Sequence, residues 1–505
     1  MPRFCLLIPL AAALLTLAGC GEAGPVRPEA GSQEPVPARH SPLPPSVSAN
    51  GVFRSGTLTA GSLDDHAAFD DFSAYLTKAM QYDLREELPP LSVGRRAVVR
   101  VVNQHGQPIG DARVTISAAD ARANAAPGQA TVIANSKVQF DMTTGADGEV
   151  VFLSGLDAPP SGSEFLLSVT PCDGSQTVTE RVSLDHTPWQ ITLPQATREL
   201  PRQLDLALVI DTTGSMGDEL DYLKVEIDHI AAEVHRRFPQ VDQRFGLVLY
   251  RDQGDEYVTR TFDFTPSLAD FRSTLAAQSA NGGGDYPEAM HLALEQSLQI
   301  SWRGAGTARI LFLVADAPPH SQFAQRTLDA VQELRRKGVT VFPVASSGVR
   351  EQAEFIMRAA AFLTQGQYLF LTDHSGVGNR HAKPSAPRYS VEKLDQLMIR
   401  MIAEKLSGRT VFPQDVIAVE ERAPVASSSA NSGPTDRQTA IPAESLSFVD
   451  PAPITASTGS VSSRPDERCS MYDLLIDPKP QRINWTIVVI GAALLLIVIE
   501  RLLGV

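Results

Sequence analysis

The chain has 505 residues, 43% of them apolar and 20% charged, enough for more than one globular core once tails and linkers are set aside. Its formal net charge is −14 and no run of Lys or Arg forms a stripe, so a nucleic-acid partner, which draws on clustered basic side chains, is not expected.

In chain order, Met1-Pro2-Arg3 and the apolar run Phe4 to Ala18 have the charge and length of a signal peptide over 1–19, closed by Leu17-Ala18-Gly19-Cys20. Residues 20–50 are proline-rich, hold too little apolar matter to pack, and read as a linker. Within 51–89, Asp64 and Asp65 precede a mildly amphipathic stretch ending at Gln81, which predicts a short capped helix. Between 90 and 198, Ala97–Val102, Ala112–Ile116, Lys137–Phe140, Val150–Phe152, Phe165–Val169 and Trp189–Leu193 are β-rich and separated by turn signals, which predicts a small all-β sandwich. Residues 200–408 alternate buried strands (Leu204–Ile210, Phe245–Tyr250, Ile310–Val314, Val339–Val344, Tyr368–Leu371) with amphipathic helices. That is the α/β pattern of a doubly wound, mostly parallel sheet. Leu220, Leu223, Ile227, Ile230, Val234 and Phe238 supply one helix's apolar face. Residues 409–480 are low in complexity, and 484–503 contain the apolar run Trp485–Ile499, a short membrane anchor. Of the four cysteines, Cys172 and Cys469 are able to pair in an oxidising compartment; two unpaired thiols is the equal alternative.

In a sheet of this kind ligands sit beyond the carboxyl ends of the strands. Asp211-Thr212-Thr213-Gly214-Ser215 stands at the end of the first strand. A strand-to-helix turn can aim a carboxylate and two hydroxyls at one point, which suits a hard dication in oxygen coordination; the same residue types also serve as plain helix caps. Gly282-Gly283-Gly284-Asp285-Tyr286-Pro287-Glu288 contains a capping pattern, but three glycines exceed what a cap needs and permit close backbone approach to something. Leu311–Ala315 ends in Asp316. Asp252 ends another strand on the same rim and His320 lies four residues past Asp316; each would support a ligand or face a partner, or be a loop residue without such a role.

Three resemblances follow from these residues. Leu17–Cys20 resembles the bacterial lipobox, which implies acylation of Cys20 and an exported lipoprotein of the cell envelope. Gly21 is compatible with the outer membrane and the C-terminal span with the inner one, so the membrane of residence stays open; fully extended, the 409–480 linker reaches roughly 230 Å, far enough to touch both. Asn-x-x-Gly-x-Pro-Ile at 103–109 and Thr-Gly-Ala-Asp-Gly at 144–148 resemble Ig-like and carboxypeptidase-regulatory-like domains, whose expected role here is that of a spacer.

The Asp211 motif, Asp285 and Asp316 resemble the metal-ion-dependent adhesion site of von Willebrand factor A domains, with Thr213 in place of the first serine and Asp285 in place of a threonine. The resemblance implies a Mg2+ ion (or Mn2+ or Ca2+) held by Asp211, Thr213, Ser215, Asp285 and Asp316. It also implies a non-enzymatic module that binds an envelope or extracellular protein, or a glycan. Three carboxylates around one dication would weaken its hold on an acidic partner, which makes Asp285 the departure that matters most. Two other functions fit the same residues: a self-assembling envelope scaffold, and a hydrolase with Ser215 as nucleophile and His320 as base. The second lacks any Gly-x-Ser-x-Gly elbow around Ser215.

Overall fold

The computed structural model describes residues 55–81, 87–118, 138–157, 163–376 and 380–421. The expected signal peptide, the Cys20 acylation site, the proline-rich linker, Cys469, the 484–503 anchor and most of the 409–480 linker lie outside these. Among the described residues no helix is long and apolar enough to cross a membrane.

The elements run β1 (Thr59–Leu63), α1 (Phe69–Gln81), β2 (Arg96–Val102), β3 (Arg113–Ala118), β4 (Val138–Thr143), β5 (Glu149–Leu153), α2 (Ser154–Asp157), β6 (Glu164–Thr170), β7 (Val178–Ser183) and β8 (Trp189–Thr192). They continue with β9 (Gln203–Asp211), α3 (Gly217–Arg237), β10 (Asp242–Tyr250), β11 (Thr259–Thr265), α4 (Leu268–Ala276), α5 (Met290–Ser297), β12 (Thr307–Ala315) and α6 (Ala324–Arg336). The last are β13 (Val339–Ala345), α7 (Glu351–Leu363), β14 (Tyr368–Thr372), β15 (Arg388–Lys393), α8 (Leu394–Ser407) and β16 (Ala418–Glu421).

One nine-stranded sheet has the order β11-β10-β9-β12-β13-β14-β1-β15-β16. The run from β10 to β14 is parallel, while β11, β1 and β16 pair antiparallel with their neighbours. The architecture is therefore mixed α/β with a parallel centre. Successive side chains of a strand point to opposite faces, so a strand covered on both sides reads as an unbroken apolar run. Leu206, Leu208 and Ile210 of β9 join the core built with α3, α4 and α8, and Ala207 and Val209 join the one built with α1, α5, α6 and α7. The apolar residues predicted for α3 are buried there, from Leu220 to Val234.

Two expected boundaries shift. Residues 51–89 are not a free capped helix: β1 lies inside the sheet, pairing Thr59 with Thr372 and Leu63 with Tyr368. Gly61 makes the insertion possible, since a Cβ there would meet the Phe370 ring at 2.4 Å. Asp64 does accept the His66 and Ala67 amides ahead of α1, but Asp65 turns inward to Arg358 instead. At the other end, residues 409–421 are not yet linker, because they carry β16 onto β15.

Strands β2 to β8 form a three-stranded sheet (β5-β2-β8) and a four-stranded one (β4-β3-β6-β7) over one core that includes Phe140, Phe152, Phe165 and Trp189. This unit is docked on the large sheet. Arg335, at the end of α6, reaches Asp157 at 2.7 and 2.9 Å and the Val151 carbonyl at 2.7 Å, and the Gly306 amide donates to Asp111 at 2.8 Å. Gly306 and Arg335 precede β12 and β13, so the sandwich covers the amino ends of the parallel strands and leaves their carboxyl ends open. Cys172, in the turn between β6 and β7, is disulfide-bonded; it is the only cysteine among the described residues, so its partner, Cys469 or another, lies outside them.

Candidate metal centre

At the carboxyl end of β9 the chain turns through Thr212–Ser215 into α3. Asp211 is fully buried, and its Oδ1 accepts the Thr213 amide at 2.9 Å and the Thr213 hydroxyl at 2.7 Å. The Thr213 and Ser215 hydroxyl oxygens are 3.3 Å apart. Asp211 Oδ2 is buried without a regular hydrogen bond, and the Tyr250 hydroxyl beside it makes only a marginal contact with the carboxylate. Burial, then the charge of Asp316, pushes the Asp211 carboxyl up to about 7 against the Thr213 hydrogen bonds. Asp316, just beyond β12, is buried too; desolvation raises its carboxyl, against the pull of the Ser215 hydroxyl. These four residues, named from the sequence, stand together.

The glycine run explains its own composition. Gly282 and Gly283 have φ of +81° and +76°, conformations that suit glycine. A Cβ on Gly282 would meet the Asp255 carboxylate at 2.4 Å, and one on Gly283 would meet Glu288 Oε1 at 3.1 Å and Thr213 at 3.3 Å. The Gly283 amide donates to Asp255 at 2.9 Å and the Gly214 amide to the Gly282 carbonyl at 3.1 Å. Buried Arg251 ties the same loops, donating to the Thr212 carbonyl at 3.1 Å and the Ser279 carbonyl at 2.8 Å. The close approach predicted for these glycines is thus to Thr213, Asp255 and Glu288.

The loop also changes the expected ligand set. Asp285 is exposed on the wall of a cavity shared with Ser215, Tyr286, Glu288 and Asp316. Glu288, read from the sequence as a capping residue, is 3% exposed, and its Oε2 makes no hydrogen bond. Burial and then the charges of Asp211, Asp252, Asp316 and Asp255 push its carboxyl up to about 9. Among the described residues no group of three or more His, Cys, Asp or Glu side chains is placed to hold a metal.

His320 and Asp252 belong to each other. His320 Nε2 is 2.8 Å from Asp252 Oδ1, an arrangement that joins the loops after β12 and β10. His320 makes no hydrogen bond with Ser215 among the described residues, so the base of the hydrolase reading is engaged elsewhere.

As a donor set the rim is all oxygen: two or three carboxylates and two hydroxyls, with buried Asp211 Oδ2 and Glu288 Oε2 lacking partners. Unpaired carboxylate oxygens in a buried position are costly without a proton or a cation. The residues present therefore fit a hard dication.

Residues 205–378 match the family model of the von Willebrand factor A domain, and the chain contains such a domain. Human von Willebrand factor A domain-containing protein 7 is 33% identical over 154 residues, 28% of this chain and 16% of that protein. An ariadne-like RING finger protein of Acanthamoeba polyphaga mimivirus is 26% identical over 186 residues, 33% of this chain and 18% of that protein. The alpha-protein kinase vwkA of Dictyostelium discoideum is 30% identical over 119 residues, 23% of this chain and 19% of that protein. This chain thus spans under a fifth of the length of each relative. The crystal structure of the conserved hypothetical protein BatB from Bacteroides thetaiotaomicron aligns over 40% of this chain and 98% of its own, at 14% identity and a TM-score of 0.29.

Proposed function

We propose that this protein is a metal-dependent binding module of the bacterial cell envelope whose metal site is non-enzymatic. On this reading it is anchored by an acylated Cys20 and a C-terminal span, and its A domain takes a protein or glycan partner. The domain itself is of a kind that mediates protein interaction. The observation that carries the metal dependence is the grouping of Asp211, Thr213, Ser215 and Asp316 around an orphaned carboxylate oxygen at the open rim of the sheet. Those four residues would hold Mg2+ (or Mn2+ or Ca2+), with Glu288 beside them and Asp285 facing the partner. The bound ion would supply an electrophilic site for an oxygen donor of that partner. The Ig-like or carboxypeptidase-regulatory-like unit then acts as a rigid base beneath the A domain.

The residue pattern supports this reading over a hydrolase built on Ser215, whose expected base is paired with Asp252. Envelope extract passed over the immobilised protein, with and without chelator and with Asp211→Ala alongside, tests it: retention that survives both treatments unchanged rules out a metal-dependent site. A second reading, self-assembly, is favoured by one observation. Phe412 and Val419 are 77% and 53% exposed on and beside the edge strand β16.

A further inference from the structure

We propose that Ser347 is the nucleophile of an acyl-transfer site on the same rim, in the cavity that Ser215 and Asp316 also line but with its own base, a site that does not depend on the binding reading. Ser347 lies just past β13, and its hydroxyl oxygen is 3.1 Å from His381 Nε2. His381 Nδ1 is 2.9 Å from Asp373 Oδ1, and that same oxygen accepts the His381 backbone amide at 2.9 Å. A nucleophile within hydrogen-bond reach of a base that a third group orients is the geometric signature of an activated hydroxyl, whatever the order in the chain. Two loops, after β13 and between β14 and β15, build it.

A hydrogen bond that merely joins two loops would not need what surrounds this one. Ser347 lines a cavity of about 440 Å³ at the rim together with Gly348, Ser215 and Asp316. Its backbone is held by donation from its own amide to Glu219 Oε1 at 3.2 Å. Among the described residues the Gly348 and Val349 amides make no hydrogen bond. Gly348 has φ +98°, a conformation for which glycine is suited, and follows the serine directly. The amide of the residue after the nucleophile is where an acyl oxyanion finds a donor. Arg350 and Arg380 line the same cavity, and neither makes an ion pair among the described residues. Arg350 is stacked on Tyr286 at 4.3 Å, which leaves its guanidinium edge for an anion. Asp285, Glu288 and Asp316 line the cavity as well, so the substrate class is a carboxylic ester whose anionic group, where it has one, is held at Arg350 and Arg380.

In the first step Ser347 Oγ bonds to the ester carbonyl carbon while its proton passes to His381 Nε2. The carbon–oxygen bond to the alcohol then breaks, and the leaving alkoxide takes that proton. Water repeats the sequence on the acyl-serine, releasing the carboxylic acid and restoring the hydroxyl. Ser347 and His381 touch the reacting atoms; Asp373 is a positioning residue that fixes the ring so that Nε2 faces the serine.

The test is covalent labelling of the full chain with a fluorophosphonate probe, in chelator throughout, followed by peptide mapping. The expected result is a label on Ser347 that Ser347→Ala abolishes and His381→Gln slows by about 10²-fold or more. Asp373→Asn is expected to slow labelling with a changed pH profile, which a purely structural role would not produce. Folding of each variant is checked by its melting curve, and Ser347→Cys, read by alkylation rate with and without His381→Gln, covers the case in which Ser347→Ala fails to fold. Absence of label from Ser347 in folded protein overturns the proposal. So does a labelling or alkylation rate that His381→Gln leaves unchanged.

Discussion

Asp65 and Arg358, 293 positions apart in sequence, meet as a two-pronged buried ion pair, with Arg358 Nη2 2.6 Å from Oδ1 and Nε 3.0 Å from Oδ2. Burial pushes the Asp65 carboxyl up even though Arg358 pulls it down, so the pair is held at a real desolvation cost. It joins the segment before the sandwich to α7 of the A domain and places Arg358 3.9 Å from the Tyr75 ring of α1. Removing Arg358 leaves the Asp65 carboxylate buried without its cation, and removing Asp65 leaves Arg358 only the longer contact to Glu354 at 3.4 Å and the Ser385 carbonyl at 3.1 Å. Arg358→Ala and Asp65→Ala are each expected to lose about 3–5 kcal/mol in urea denaturation, whereas Asp65→Leu with Arg358→Met recovers most of that. Single variants as stable as the wild type would show that this corner is wet.

The same segment sets the minimal folded unit. A fragment that begins at Leu204, one residue ahead of the family match, lacks β1 and leaves β14 and β15 without the strand between them. Unpaired strand edges of that kind invite aggregation. Residues 55–421 are expected to give soluble protein with a cooperative melt and 204–421 to aggregate; equal solubility of the two would mean that β1 is dispensable.

This is also where the sequence was hardest to read. Strands β9, β10, β12, β13 and β14 announced themselves because burial on both faces leaves unbroken apolar runs, and Asp211, Thr213, Ser215 and Asp316 follow from standing at their ends. Strand β1, Thr-Ala-Gly-Ser-Leu, has no such run. It is five residues long, its small side chains fit between Phe370 and Tyr389, and its partners lie some three hundred positions away. Local pattern cannot register a pairing of that range. Glu288 was hidden for a different reason: its spacing is that of a cap, and only the folded loop shows it turned inward, buried among other carboxylates. The pairing of His320 with Asp252 was not legible because the two come from different strands' loops, 68 positions apart.

The sandwich is expected to unfold with the A domain, not as a bead on a string. Arg335 is 6% exposed and spends its guanidinium on Asp157 and the Val151 carbonyl, while Arg198 donates to the Ser407 carbonyl at 2.8 Å. One calorimetric transition is predicted for the wild type. Arg335→Ala takes the cation from Asp157, which keeps only the Leu153 amide, and a donor from the buried Val151 carbonyl; it should cost about 3 kcal/mol and split the transition in two. Two transitions already in the wild type would return the unit to the role of a loose spacer.

Metal removal and substitution at Asp211 should act alike. A ligand that binds only the folded state adds about 2.7 kcal/mol at a hundred times its dissociation constant. Saturating Mg2+ or Mn2+ is therefore expected to raise the melting temperature of the wild type by several degrees, and chelator to reverse it. Asp211→Asn should abolish the shift while keeping the fold, since the amide oxygen still accepts from Thr213. A shift that persists in Asp211→Asn would locate the ion elsewhere.

The pH dependence supplies a second handle, and its sign differs between the two states. Without a cation, Glu288 sits at about 9 against an ordinary 4.5, and Asp211 at about 7 against 3.8. Between those limits the folded chain holds more protons than the unfolded one, so the stability contributed by these groups is full below about pH 4 and is lost as pH rises towards 9. A dication replaces the protons, and its affinity should climb through the same window as each carboxyl gives up its proton. The measurement is a set of melting curves from pH 5 to 9 in chelator and in Mg2+. The chelated protein is expected to lose stability towards high pH, the Mg2+ increment to grow there, and Glu288→Gln to flatten the chelated curve above pH 7. If Glu288→Gln and wild type trace the same chelated curve across that range, the buried carboxylate is not protonated, and a neighbouring donor satisfies the oxygen that stands alone beneath the glycine loop.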